Sequence, residues 1–381
     1  MLGFVSLFMD VSSELIHSLL PVFMVSSLGA TMFVVGIVEG IAEATALIVK
    51  VFSGTISDYL GKRKGLAVLG YGLGAVSKPI FALALSVHWV LVARCMDRIG
   101  KGIRGAPRDA LVADLTAPEI HGAAYGLRQS LDTVGALVGP LLAVGLMLLW
   151  AGDFRTVFWF AVIPAVLSVL ILLFGVQEPD TTVHHRNVTS PIRWQTLGEL
   201  GPAYWWVVAA GGVFTLSRFS EAFLILRVQQ LGLAAAFAPL VLVVMNVVYA
   251  VSAYPVGRLA DRMSHQTLLG AGLAVLIVSD LVLAQAQALA TAAVGVALWG
   301  LHMGMTQGLL ATMVAGAAPA HVRGTAFGFF NLVSGIAMLI ASVLAGLLWD
   351  EFGAATTFYS GAAFSIVALV MLVLGGRRDN V

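Results

Sequence analysis

The stretch FMDVSSELIH, Phe8 to His17, sets Asp10, Glu14 and His17 four and three residues apart in a run otherwise rich in Leu, Val, Phe and Met. That spacing puts all three on one face of a helix. Two carboxylates and an imidazole sharing a face can exchange protons, hold a cationic substrate, or ligate a divalent transition metal. A metal would need a further donor, for which Glu43, Asp132 and His302 are the candidates.

The one-sided pattern recurs along the chain. Glu39, Glu43 and Lys50 share a face, as do Asp97, Lys101, Arg104 and Arg108, while Arg128 and Asp132 stand one turn apart. A charge at the centre of a membrane helix costs roughly 2.5 to 3.5 kcal/mol even on a lenient insertion scale, so a cluster of this size must turn away from lipid. Counting about 1.5 Å of rise per residue, Asp10, Lys50, Arg104 and Arg128 lie in a shallower, mostly basic layer and Glu14, Glu43, Asp97 and Asp132 in a deeper acidic one. Two readings fit: ion pairs, with Arg104, Arg128, Asp97 and Asp132 as one interhelical network, that hold the bundle or latch a gate, or at least one carboxylate that titrates during transport. The second half is quieter. Arg218 and Glu221 are one helical turn apart, either as a satisfied pair or as an outer gate, and Asp280 lies well inside an apolar run. Asn246 and Asn331 suit the lining of a path, since an amide both donates and accepts without net charge.

These residues need helices in lipid to position them. Charged residues make up 11% of the chain, against about 25% in soluble domains, and mean hydropathy is +0.96. Twelve apolar runs of spanning length fall near 3–27, 32–57, 65–85, 88–110, 122–149, 155–175, 203–227, 236–260, 267–286, 290–315, 324–349 and 355–375. Only helices satisfy the backbone there, so the expected fold is all-α: a polytopic membrane protein of twelve transmembrane helices in two pseudo-symmetric six-helix bundles. Residues 1–175 form the first bundle, 176–202 a cytoplasmic linker and 203–381 the second. The first run starts near Met1 without a basic leader and carries acidic residues, so it reads as a span and not as a cleaved signal. Lys62, Arg63, Lys64, Arg186, Arg193, Arg258, Arg262, Arg323, Arg377 and Arg378 fall on one set of loops and tails, with chiefly Arg155 and Arg227 opposite. Both termini are therefore expected in the cytoplasm, with a bacterial inner membrane as the location. The single cysteine, Cys95, excludes an intrachain disulfide and a cysteine-cluster metal site.

The halves echo one another. GTISD (Gly54 to Asp58) returns as GRLAD (Gly257 to Asp261), and HGAAYGLRQ (His121 to Gln129) as RGTAFGFFN (Arg323 to Asn331), 203 and 202 residues on. Over nearly its whole length the chain resembles the major facilitator superfamily, and within it bacterial proton-coupled efflux permeases. Gly54, Asp58, Gly61, Lys62, Arg63 and Lys64 look like that family's loop motif, and Arg94 falls where it usually has a membrane arginine. Gly126, Gly135, Gly139 and Pro140 reproduce the spacing G-x8-G-x3-G-P that the resemblance links with export by proton antiport. The chain departs from the pattern with Asp97, Arg98 and Lys101 in the fourth span, with Met263 to His265 for a basic triplet, and with Ala341 and Ser342 for a second Gly-Pro. Asp58 and Asp261 read as gate-closing carboxylates near helix ends, and Gly135, Gly139 and Pro140 as a hinge or close-contact ridge.

No G-x4-G-K-[ST] loop is present, and GKGIRGAPRD (Gly100 to Asp109) lacks the strand a nucleotide loop requires, so neither ATP hydrolysis nor another enzymatic activity is expected. The scattered basic residues form no nucleic-acid groove. The expected function is secondary active transport, proton-coupled export of a small molecule by alternating access, without a cofactor and as a monomer in lipid. The alternative substrate is a divalent transition metal or its chelate; a non-transporting sensor or scaffold leaves the charged interior without a use. Cysteines introduced at positions 188 and 351, with Cys95 replaced, are expected to react from opposite sides of the membrane; reaction from one side contradicts this span count.

Overall fold

The computed structural model describes residues 1–60, 63–177, 194–260, 263–306, 308–319 and 322–376. Lys62, Asp261 and Gln307, the side chain of Asp58, and most of the 176–202 segment lie outside the described residues. The first half contains α1 (Leu2–His17), α2 (Leu20–Ser26), α3 (Met32–Leu60), α4 (Arg63–Leu83), α5 (Val87–Asp114), α6 (His121–Leu149), α7 (Phe154–Phe160) and α8 (Val162–Gly175). The second contains α9 (Pro202–Leu216), α10 (Ala222–Gln230), α11 (Leu240–Ala260), α12 (His265–Gln285), α13 (Leu289–Thr306), α14 (Leu309–Ala317), α15 (Arg323–Phe352) and α16 (Ala354–Gly376). The protein is an all-α polytopic membrane protein with pseudo-symmetric halves.

Among the described residues, ten helices or end-to-end helix pairs are long and apolar enough to cross a membrane. Two expected spans are not among them, for different reasons. α5 is 28 residues long but carries Arg94, Asp97, Arg98, Lys101, Arg104 and Arg108. α9 has only 15 residues, and the chain leaves the helix before α10 begins at Ala222. Arg218 and Glu221 fall in that break, so they do not stand one turn apart on a continuous helix as the sequence suggested. The break is satisfied locally, because the Ser220 amide donates to Ser342 Oγ (3.2 Å) and the Ala222 amide to Ser220 Oγ (3.2 Å).

The chain divides into two compact units, Met1–Gly29 with Ile41–Pro191, and Ala30–Gly40 with Ile192–Val381. In the first, α4 and α5 meet backbone to backbone. A Cβ on Gly70 would lie 2.7 Å from the Gly100 carbonyl oxygen, so a side chain there would force the helices apart.

Cations serve helix carboxyl ends, where unpaired carbonyls leave partial negative charge. Lys64 Nζ donates to the Leu173 carbonyl near the end of α8 (2.8 Å), and Arg323 Nε to Ala315 on α14 (3.1 Å). The two arginines that opposed the charge bias have the same employment. Arg155 donates to Ala84 just past α4 (3.0 Å), and Arg227 to Leu283 (3.0 Å), Ala284 (3.3 Å) and Ala286 (2.8 Å) at the end of α12. At an amino end the sign reverses: Asp350 accepts from the amides of Met32 (3.0 Å) and Phe33 (2.8 Å) at the start of α3. Asp153, ahead of α7, is held below the usual carboxylate range by the hydroxyl of Thr156, which donates to it.

Candidate functional site

The charged residues of the first unit assemble around Asp97 on α5. Lys78 Nζ on α4 donates to its Oδ1 (2.7 Å) and also to Ser13 Oγ on α1 (2.9 Å). On the other carboxylate oxygen, His17 Nε2 lies at 3.4 Å and Arg98 Nε at 3.8 Å. Arg98 contacts His17 Nδ1 at 2.9 Å. The same guanidinium lies 3.3 Å from Nε2, so it meets the edge of the imidazole and leaves the proton to either ring nitrogen. Arg98 also approaches Glu43 Oε1 on α3 (3.3 Å), as does Arg94 (3.7 Å), while Glu14 Oε1 is 3.8 Å from His17 Nδ1.

A second group continues along the same helices. Arg104 lies 3.7 Å from Asp10 Oδ1, and its guanidinium covers the Tyr71 ring at 4.8 Å. Arg128 donates to Asp132 Oδ2 (2.7 Å) one turn away on α6, and Arg108 stands 3.9 Å from the same oxygen. The sequence reading placed Arg104, Arg128, Asp97 and Asp132 in one network. In the structure Asp132 takes Arg128 and Arg108, Arg104 goes to Asp10, and Asp97 takes Lys78, His17 and Arg98.

Exposure sorts the carboxylates. The side chain of Asp97 is 2% exposed and that of Lys78 0%, whereas Asp10 and Glu14 each keep 25% and Glu43 33%. The Asp97–Lys78 pair is sealed, while the other three acids keep accessible surface. Asp10 and Glu14 also mark where α6 crosses α1. A Cβ on Gly135 would lie 2.9 Å from Asp10 Cβ and from the Leu7 carbonyl oxygen, and one on Gly139 2.9 Å from Glu14 Cβ and 2.8 Å from the Val11 carbonyl oxygen. The glycine ridge therefore seats α6 directly on the acidic face of α1, and α6 runs on unbroken through Pro140.

Other expected residues lie apart from this cluster. Glu39 falls in the Ala30–Gly40 segment of the second unit and is buried, accepting from Ser220 Oγ at 3.3 Å, so the helical face that joins it to Glu43 in sequence is divided between units. Lys50 is exposed; Lys101 is exposed too but belongs with the cluster, close enough to Asp10, Glu14 and Glu43 for its charge to act on them. Arg218 lies over the Phe214 ring at 5.6 Å, Glu221 starts α10, and Asn246 and Asn331 are half-buried on α11 and α15. His302 is sealed on α13, with Nδ1 2.8 Å from the Gly272 carbonyl oxygen. Among the described residues no three His, Cys, Asp or Glu side chains come together as a metal site, and both nitrogens of His17 are committed, one to a cation. The metal reading therefore loses its ligand set. Lys78 was missed in sequence, although a lysine before Pro79 in an apolar helix is itself a charge at membrane depth.

The sequence profile of the Major Facilitator Superfamily matches residues 2–342, and again residues 222–380. The chain belongs to that superfamily, and it is a secondary active transporter and not an enzyme. An uncharacterized MFS-type transporter of Methanocaldococcus jannaschii is 29% identical over 379 residues, covering 98% of this chain and 93% of the relative. Multidrug resistance protein MdtH of Edwardsiella ictaluri is 32% identical over 145 residues, 38% of this chain and 35% of that protein. The crystal structure of the nucleoside transporter NupG superposes with a TM-score of 0.81 at 11% identity, covering 98% of each chain, a likeness of fold.

Replacing Lys78 by Met is expected to lower stability by about 3–5 kcal/mol, because it strands the sealed Asp97 charge. Adding Asp97→Asn to that variant should recover part of the loss in a thermal melt in lipid or detergent. A double variant no more stable than Lys78→Met contradicts the pairing.

Proposed function

We propose that the protein exports a small organic molecule in exchange for protons, and that Asp10 and Glu14 are the carboxylates through which the exchange is coupled. The supporting observation is that these two keep a quarter of their side-chain surface exposed within an ionic cluster whose central acid, Asp97, is sealed. A carboxylate held permanently against a lysine cannot load and unload readily, whereas one with a reachable surface and a loose partner at 3.7 or 3.8 Å can. His17 tunes Glu14, and Glu43 extends the acidic face. Arg94, Asp97, Lys101, Arg104, Arg128 and Asp132 hold that face in place, with Asp58, Asp261, Arg218 and Glu221 acting at gates. Glu39, Asn246 and Asn331 contribute to the substrate path.

In this reading α5, and α9 with α10, cross the membrane despite their charge and break, completing twelve spans. Residues 1–175 and 203–381 are the two moving halves, 176–202 the cytoplasmic linker, and both termini face the cytoplasm of a bacterial inner membrane. The transporter works as a monomer. Export draws support from the Gly126, Gly135, Gly139, Pro140 spacing and from the partial similarity to a multidrug resistance protein.

The test is transport in sealed proteoliposomes under an imposed pH gradient, screening organic compounds, with Asp10→Asn and Glu14→Gln beside the parent. At least one variant is expected to lose gradient-driven movement while retaining substrate binding. Folded variants that both transport at the parental rate with unchanged proton dependence contradict the assignment.

A further inference from the structure

The second unit holds a buried acid that the account above does not use. Asp280, on α12, is completely buried, and neither carboxyl oxygen has a hydrogen-bond partner among the described residues. Its seat is made by a missing side chain: a Cβ on Gly361 of α16 would lie 2.7 Å from Asp280 Oδ2 and 3.0 Å from the Phe219 ring. Phe219 belongs to the break between α9 and α10 and packs against Trp299 (5.4 Å), Phe358 (5.5 Å) and Phe223 (5.7 Å). The adjacent hydroxyl is already committed, since Ser279 Oγ donates to the Gly295 carbonyl at 2.8 Å.

The titratable and charged groups on neighbouring elements are all engaged elsewhere or remote. From α13, His302 meets the Gly272 carbonyl, eight residues or about 12 Å along α12 from Asp280. From α10, Arg227 is spent on the carbonyls of Leu283, Ala284 and Ala286. From the break, Arg218 covers Phe214 and Glu221 starts α10. From α16 the titratable side chain is Tyr359, which is exposed, and α14 has none. A metal cation would need several oxygen ligands, and among the described residues no other donor reaches this carboxyl. A side chain in this position adds nothing to packing that Asn or Leu would not, and a buried polar group without a partner is costly.

We propose that Asp280 is a second proton-exchanging carboxyl, loaded and unloaded during the transport cycle from within the second half. This rests on the reading that transport is proton-coupled, but it assigns a site independent of Asp10 and Glu14. The break at Phe219, beside the carboxyl, is the element whose movement would open it to water.

The test is infrared spectroscopy of the full chain in lipid, with protons as the probe. A protonated carboxyl that makes no hydrogen bond has the stiffest C=O and absorbs at the high-frequency edge of the carboxylic-acid region. The parent is expected to show such a band, which falls and returns as pH is cycled. The band should vanish in Asp280→Asn, move in Asp280→Glu, and persist in Asp10→Asn and Glu14→Gln whether or not those variants transport, which separates this proposal from the preceding one. Asp280→Asn should melt no lower than the parent. A band unchanged in Asp280→Asn, a band insensitive to pH cycling, or a folded Asp280→Asn protein that melts well below the parent overturns the proposal. Should Asp280→Asn fail to fold, the band is read in Gly361→Ala, whose methyl crowds Oδ2: a shifted band supports the proposal and an unshifted one overturns it.

Discussion

A carboxylate with 2% of its surface exposed is the constraint on which the first unit depends. Asp97 is tolerable only while Lys78, His17 and Arg98 surround it, because removing one partner from a buried ion pair leaves a bare charge. Those partners come from α4, α1 and α5, so the requirement fixes how three helices cross. Glycine at positions 70 and 100 lets α4 approach α5 closely enough for Lys78 to reach across. Once Arg98 is placed, it extends the cluster to Glu43 on α3. The sealed pair thus supports a rim of reachable acids without being reachable itself.

The halves share a fold and differ in chemistry. In the first unit nearly every interior charge has a counter-charge within 4 Å, in an arrangement spread over α1, α3, α4, α5 and α6. In the second, described interior contacts are largely aromatic rings, hydroxyls on carbonyls, and one arginine capping a helix.

Much of this was legible in sequence because membrane helices obey two simple periodicities, span length and helical face. Counting faces put Asp10 with Glu14 and Arg128 with Asp132, and the glycine spacing pointed to the ridge on which α6 meets α1. The depth layers, acidic below mostly basic, are joined by Arg128 and Asp132, and Arg104 meets Asp10 within the shallower one. Lys78 escaped because it has no charged neighbour on its own helix; its partner is nineteen residues away, across a helix crossing no local pattern reports. Nor does any glycine or proline mark the break at 217–221, which is completed by a hydroxyl from α15. Glu39 and Glu43 share a helical face in sequence, yet α3 passes from one unit to the other between them, a tertiary fact that periodicity cannot express.

The central claim, that reachable acids surround a sealed one, is tested most directly by labelling the protein in lipid with a hydrophobic carbodiimide and locating the adducts by peptide mass spectrometry. The reagent attacks carboxyls that it can reach and that hold a proton. Adducts are expected at Asp10, Glu14 or Glu43, with Asp97 unmodified until the protein unfolds. Modification of Asp97 in the folded protein, with the other three untouched, would contradict the account.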